Sequence, residues 1–140
     1  MLAAIDAGSN TLRLLVGRVV EDKVVPEHYL RRISRLAGGF SQKRGLSVEA
    51  RRRTLLAFEE FAAVCQQAEI EQVRAVGTAA FRQARNGVAF CQAVRAATGL
   101  PLEIVSGDQE AAYMVRGVLS ALDPIPAHAL IVDIGGGSTE

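Results

Sequence analysis

Leu2-Ala3-Ala4-Ile5-Asp6-Ala7-Gly8-Ser9-Asn10-Thr11-Leu12-Arg13-Leu14-Leu15-Val16 is the stretch that decides how the rest of the chain is read. Leu2 to Ile5 is a short apolar run, Asp6 to Asn10 a polar turn with a glycine, and Leu12 to Val20 resumes with Leu, Val and Arg. That order predicts strand, turn, strand. Glu21-Asp22-Lys23 supplies a second turn, and Val24 to Ile33 returns as a third strand in which Pro26, lacking an N–H, marks an edge or a bulge. Three antiparallel strands therefore open the domain.

Downstream the period changes. A loop over Leu36 to Gly45 leads to Ser47, which can cap a helix over Val48 to Ala68 with Leu55, Phe58, Ala62 and Cys65 on one face. Gln72 to Gly77 reads as a strand, Thr78 as the cap of a helical segment that continues through Val88 to Thr98, and Gly99 to Pro101 as its stop. Leu102 to Val105 is another strand, and a helix from Ser106-Gly107 runs to about Leu122, where Asp123-Pro124-Ile125-Pro126 ends it. Ala129 to Ile134 has the composition of a buried strand and is followed by a glycine turn; as the start of a second lobe's sheet it is expected to have no partners of its own here and to be disordered, docked elsewhere or swapped. Three antiparallel strands followed by alternating helices and strands predict an α/β fold with a mixed five-stranded sheet. The double proline places a boundary near residue 125, with 1–125 as one lobe and 126–140 as a linker, strand and loop that begin a second.

Composition narrows the function classes. The chain has 140 residues, 49% of them hydrophobic and 22% charged, enough for one ordinary core. With 16 basic and 15 acidic side chains the net charge is +1, so no global field recruits nucleic acid or an anionic membrane. Met1 to Ile5 is too short for a secretory segment and no stretch has the length of a membrane span, which makes the cytoplasm the expected location. Cys65 and Cys91, in alanine-rich stretches without a metal-ligand spacing, are expected as buried thiols.

The chemistry lies in a motif that occurs twice. Ile5-Asp6-Ala7-Gly8-Ser9-Asn10-Thr11 and Val132-Asp133-Ile134-Gly135-Gly136-Gly137-Ser138-Thr139 each join an apolar strand, an aspartate and a glycine turn. Glycine brings backbone N–H groups close to an oxyanion, and Ser and Thr hydroxyls add donors, so such turns cradle phosphate. The aspartates are hard oxygen ligands suited to Mg²⁺, and Asp6 and Asp133 are expected to face each other across a cleft. Two strand-to-helix turns lie between the copies. In Gly77-Thr78-Ala79-Ala80-Phe81-Arg82 the arginine comes about one helical turn in, placing a bidentate donor near the mouth. In Ser106-Gly107-Asp108-Gln109-Glu110 the serine and Gln109 suffice for a capping box, which leaves Glu110 available, ionised near a helix start, to take a proton from water.

Taken together, Asp6 to Thr11, Gly77-Thr78 with Arg82, Ser106-Gly107 with Glu110-Ala111, and Asp133 to Glu140 resemble, in order and spacing, the exopolyphosphatase and guanosine pentaphosphate phosphatase family. The resemblance covers the whole chain. It implies a ribonuclease H-like lobe of the actin-like ATPase superfamily, whose members bind phosphates between two such lobes and depend on Mg²⁺. It implies Glu110 as catalytic base, Asp133 and Glu140 as essential acids, Asp6 as the acid of the first phosphate loop, and Asn10, Arg82, Gly136 and Ser138 as phosphate contacts. With the remaining turn residues, the expected phosphate site is Gly8, Ser9, Asn10, Thr11, Thr78, Arg82, Gly135, Gly136, Gly137 and Ser138, with Asp6 and Asp133 toward the metal.

The family commonly has two adjacent glutamates where this chain has Gln109 then Glu110. Family members also carry a complete second lobe, so the chain is expected to be a fragment, inactive alone and homodimeric as the full-length protein. The implied substrates are inorganic polyphosphate and guanosine pentaphosphate. The competing readings are a kinase or ATPase of the same superfamily and a non-catalytic guanosine tetraphosphate or polyphosphate sensor. Arg31, Arg32 and Arg35, Lys43 with Arg44, and Arg51 to Arg53 read first as solvated faces, the other reading being a basic track that extends from the cleft for long polyanions.

Overall fold

The structure, a computed structural model, describes residues 1–21, 23–41 and 43–139. Strands β1 (Leu2–Ala7), β2 (Thr11–Val20) and β3 (Lys23–Ile33) lead into helix α1 (Val48–Gln67). Strand β4 (Gln72–Gly77), helices α2 (Ala79–Gln83) and α3 (Gly87–Thr98), strand β5 (Leu102–Ile104) and helix α4 (Gly107–Ser120) follow. The five strands form one sheet in the order β3-β2-β1-β4-β5, antiparallel across the first three and parallel from β1 through β4 to β5. This is the expected mixed plan.

Alternation sets the faces of the sheet. Ala3, Ile5 and Ala7 of β1 and Leu12, Leu14 and Val16 of β2 point to the buried side, so a period of two becomes one apolar face. Onto it pack Phe58, Phe61 and Cys65 of α1 and Phe90, Cys91 and Val94 of α3. Ser47 opens α1 as expected, its hydroxyl accepting from the Ala50 N–H at 3.2 Å. Phe81 stacks on Phe90 with ring centroids 5.7 Å apart. Each fully buried phenylalanine removes enough apolar surface to contribute about 2–3 kcal/mol. Both cysteines are buried and unpaired, and the Cys91 thiol donates to the Leu102 carbonyl at 3.2 Å. Pro26 sits on the edge strand opposite Gly17, where the β2–β3 register shifts, so its missing donor falls where the ladder is already interrupted.

One expectation needs correction. The helix expected to continue from Thr78 through Thr98 is two helices, because Ala84 leaves helical geometry and the chain turns at Asn86 before α3. The break is anchored: the Leu46 N–H donates to Asn86 Oδ1 at 2.8 Å, and Asn86 Nδ2 donates back to the Leu46 carbonyl at 3.0 Å. Gly87 is required there, since a Cβ would overlap the Phe81 carbonyl oxygen. Ala129 to Ile134, expected to lack sheet partners, is an exposed segment and not a buried strand. Leu130 is 91% and Ile134 79% exposed, and the segment's one described pairing is a single bridge from Ile134 to Thr139. The apolar pattern is present, but no described strand offers that segment a ladder.

The parallel register decides where the loops go. Asp6 lies beside Val76 and Ala7 beside Gly77, so the turn after β1 and the turn after β4 emerge side by side. Val76 in turn lies beside Glu103, which brings the end of β5 and the start of α4 to the same edge. In open α/β sheets this carboxyl edge of the parallel strands is where ligands bind.

Candidate functional site

The two copies of the aspartate-glycine motif fold into the same local structure. In the first, the Gly8 N–H donates to the Thr11 carbonyl at 3.0 Å; in the second, the Gly135 N–H donates to the Ser138 carbonyl at 2.9 Å. Each loop is thus closed across its base while its middle residues are left to point elsewhere. The Ser9 carbonyl accepts from Ala37 at 2.8 Å, and the Asn10 carbonyl accepts from Ser34 at 3.0 Å and Arg35 at 2.9 Å. A trans peptide unit is planar, with its C=O and N–H opposed, so tying down the Ser9 carbonyl aims the Asn10 N–H away from the 34–37 segment. Arg53 extends the support, its Nε donating to the Ser34 carbonyl at 3.0 Å. No hydrogen bond among the described residues uses the N–H of Asn10, Gly136 or Gly137.

The second loop rests on the first. A Cβ at Gly136 would stand 3.3 Å from the Asn10 Cβ, and one at Gly137 would collide with Ser9 Oγ. Gln83 of α2 adds a weak bond from Nε2 to the Gly137 carbonyl at 3.4 Å. Between the loops lies a pocket of about 320 Å³ lined by Asp6, Gly8, Ser9, Asn10, Thr11, Arg13, Thr78, Glu110, Asp133, Ile134, Gly135, Gly136, Gly137 and Ser138. Residues from both ends of the chain and from the first turn of α4 therefore share one cavity.

Asp6 and Asp133 line the same pocket. Partial burial pushes the Asp6 carboxyl above the ordinary carboxylate range, the Arg13 hydrogen bond and charge pull it down, and the Asp133 charge raises it again. Arg13, which the sequence reading left out, donates from Nη1 to Asp6 Oδ2 at 2.8 Å across the β1–β2 ladder, where the two residues are direct partners. The signal for it was the hairpin register itself: with a turn over Gly8 to Asn10, Asp6 and Arg13 fall opposite each other on one face.

Glu110 stands where the capping argument left it. Ser106 Oγ accepts from the Gln109 N–H at 3.1 Å and Gln109 Oε1 accepts from the Ser106 N–H at 2.9 Å, a complete capping box that makes no use of Glu110. Arg82 is not among the residues lining the pocket. Its Nη1 donates to the Glu110 Oε2 at 2.6 Å and to the Val105 carbonyl at 3.0 Å, with both ion-pair side chains largely buried, 22% and 18% exposed. Thr78 lines the pocket, but its hydroxyl makes a long bond to the Ala7 carbonyl, 3.4 Å, instead of capping α2. Glu140, expected as an essential acid, lies outside the described residues.

The donor set bears on a metal. Among the described residues no group of three or more His, Cys, Asp or Glu is arranged to hold one, which is unlike a closed protein cage. Of the three carboxylates that line the pocket, Asp6 and Asp133 fit Mg²⁺, which keeps several waters and uses one or two carboxylates together with phosphate oxygens.

Comparison with known proteins agrees with this geometry. The family model described as the Ppx/GppA phosphatase family matches residues 15–140. Over 140 residues the chain is 39% identical to a guanosine-5'-triphosphate,3'-diphosphate pyrophosphatase of Vibrio vulnificus and 36% identical to one of Vibrio cholerae, covering 100% of this chain and 28% of each relative. A crystal structure of an exopolyphosphatase from Cytophaga hutchinsonii superposes on 99% of the chain with a TM-score of 0.91 at 28% identity, over 44% of its own length. The Aquifex aeolicus member of the Ppx/GppA protein family does so over 99% of the chain with a TM-score of 0.87 at 30% identity, over 45% of its length. The chain thus spans less than half the length of these relatives.

Proposed function

The chain belongs to the Ppx/GppA phosphatase family, and from that membership we propose that the protein hydrolyses the terminal phosphoanhydride of inorganic polyphosphate, guanosine pentaphosphate or both. The observation that carries the reading is the convergence of two glycine loops, from opposite ends of the chain, on one pocket that also holds Glu110. The names of the relatives, pyrophosphatases of a guanosine pentaphosphate and an exopolyphosphatase, support the same substrate class.

In the proposed mechanism the terminal phosphoryl group lies between the loops, its oxygens facing the N–H groups of Asn10, Gly136 and Gly137 and the hydroxyls of Ser9, Thr11, Thr78 and Ser138. Glu110, as carboxylate, takes a proton from a water whose oxygen bonds to phosphorus. The bridging P–O bond breaks, and its electron pair leaves with the shortened chain or nucleotide. Asp6 and Asp133 would hold Mg²⁺, which when bound offsets the charge of the phosphate oxygens. Asp133 also belongs with Glu140 to the acids that the resemblance makes essential. Positioning and charge neutralisation supply most of the barrier reduction in this chemistry, so no Ser, Cys or His nucleophile is called for.

A phosphate-release assay on the full-length protein with Mg²⁺ tests the reading, comparing polyphosphate, guanosine pentaphosphate, and ATP with a sugar or acetate acceptor. Release from either of the first two is expected. Phosphorylated acceptor, or tight binding without release, would replace hydrolysis with transfer or sensing. The same reading includes a homodimer of the full-length protein, checked by its mass in sedimentation.

A further inference from the structure

Glu110 reaches the pocket from the first turn of α4, a helix in which no residue is buried and whose docking onto the rest of the domain is slight. A base carried on such an element is only as well placed as whatever holds it. Arg82 is that hold. Its Nη1 touches the Val105 carbonyl at the end of β5 and the Glu110 Oε2, while the Val105 N–H is itself tied to the Gly77 carbonyl at 3.1 Å. One guanidinium thus joins α2, the carboxyl end of β5 and the start of α4. It engages one carboxylate oxygen of Glu110 and leaves Oε1 without a hydrogen bond among the described residues.

We propose that Arg82 is a positioning residue for the base: it fixes Glu110 so that Oε1 faces the attacking water, and its effect on turnover passes through that carboxylate and not through direct grip on the substrate. The proposal rests on the assignment of Glu110 as base. Both bonds come from Nη1, whose two hydrogens are fixed in the guanidinium plane, whereas the hydrogens of a lysine ammonium rotate about its C–N bond. Direct phosphate binding by Arg82 is the rival role and predicts different kinetics.

The test is a double-mutant cycle in the full-length protein with polyphosphate and Mg²⁺, using Arg82→Ala, Arg82→Lys, Glu110→Ala and the doubles. Arg82→Ala should lower kcat by about tenfold or more with KM within about twofold. On the Glu110→Ala background the same change should cost less than about threefold, because the group it orients is gone. Arg82→Lys should fall between wild type and Arg82→Ala in kcat with KM unchanged, and it carries the test should the alanine variant not fold. A raised KM in Arg82→Lys, or an equal loss of kcat with and without Glu110, overturns the proposal. Wild-type turnover in Glu110→Ala would instead overturn the base assignment itself.

Discussion

At the scale of single residues, Glu110 was legible because its neighbours account for themselves. Ser106 and Gln109 complete the capping box, so a carboxylate one position further on had no structural duty to explain it. Its engagement with Arg82 was not legible. The two residues lie on different helices, and only the packing of α2 against the end of β5 brings them together. Arg13 was missed for a different reason, since the reading treated β2 as an apolar strand without asking which residue faces Asp6 across the ladder. Replacing Glu110 with Gln in the full-length protein should lower kcat about a hundredfold or more, the usual scale for a general base. KM should barely move, because the amide keeps the shape of the side chain. Steady-state phosphate release checks this, and turnover within a few fold of wild type contradicts the assignment.

At the scale of elements, the strands and α1 followed from period and caps, and the errors fell where local pattern and tertiary context part. Alanine-rich sequence on both sides of Asn86-Gly87 favours helix, yet Asn-Gly is a turn-forming pair, and Asn86 is used to anchor Leu46. That dipeptide was the available signal. Gly87 packs its Cα hydrogens against the Phe81 carbonyl, with no room for a methyl group. Gly87→Ala should therefore destabilise the chain by about 2 kcal/mol, the scale of overpacking a filled interior. This corresponds to a fall in Tm of about 8 °C for a domain of this size. A thermal melt followed by circular dichroism reads it, and an unchanged Tm would show that α2 and α3 shift apart without cost. The segment Ala129 to Ile134, expected to lack sheet partners, shows the converse: its residues suit a sheet, but a strand exists only where a neighbour supplies hydrogen bonds.

At the scale of the whole molecule, the mixed five-stranded plan was readable from element order alone, because a hairpin followed by helical crossovers leaves few arrangements. The convergence of the two loops was readable from the repeated motif. How the second loop is held was not, since Gly136 and Gly137 lie against the side chains of Ser9, Asn10 and Ala79, contacts that only the tertiary structure brings together. The segment leading to it exposes Leu130, Val132 and Ile134, so nothing described here braces it from behind. The purified 140-residue chain is accordingly expected to release little or no phosphate from polyphosphate. The full-length protein is expected to release it and to lose at least about tenfold in rate when Mg²⁺ is removed by a chelator, recovering when the ion is restored. Robust hydrolysis by the short chain, or chelator-insensitive turnover by the long one, would contradict these expectations.

The abutment of Gly136 and Gly137 on Asn10 and Ser9 has a mechanical consequence. An anion seated there would meet residues of both loops at once and act as a removable cross-link, favouring by mass action the arrangement in which the loops abut. Departure of the product would remove that cross-link and leave the second loop held by its contacts with Ser9, Asn10 and Gln83 alone.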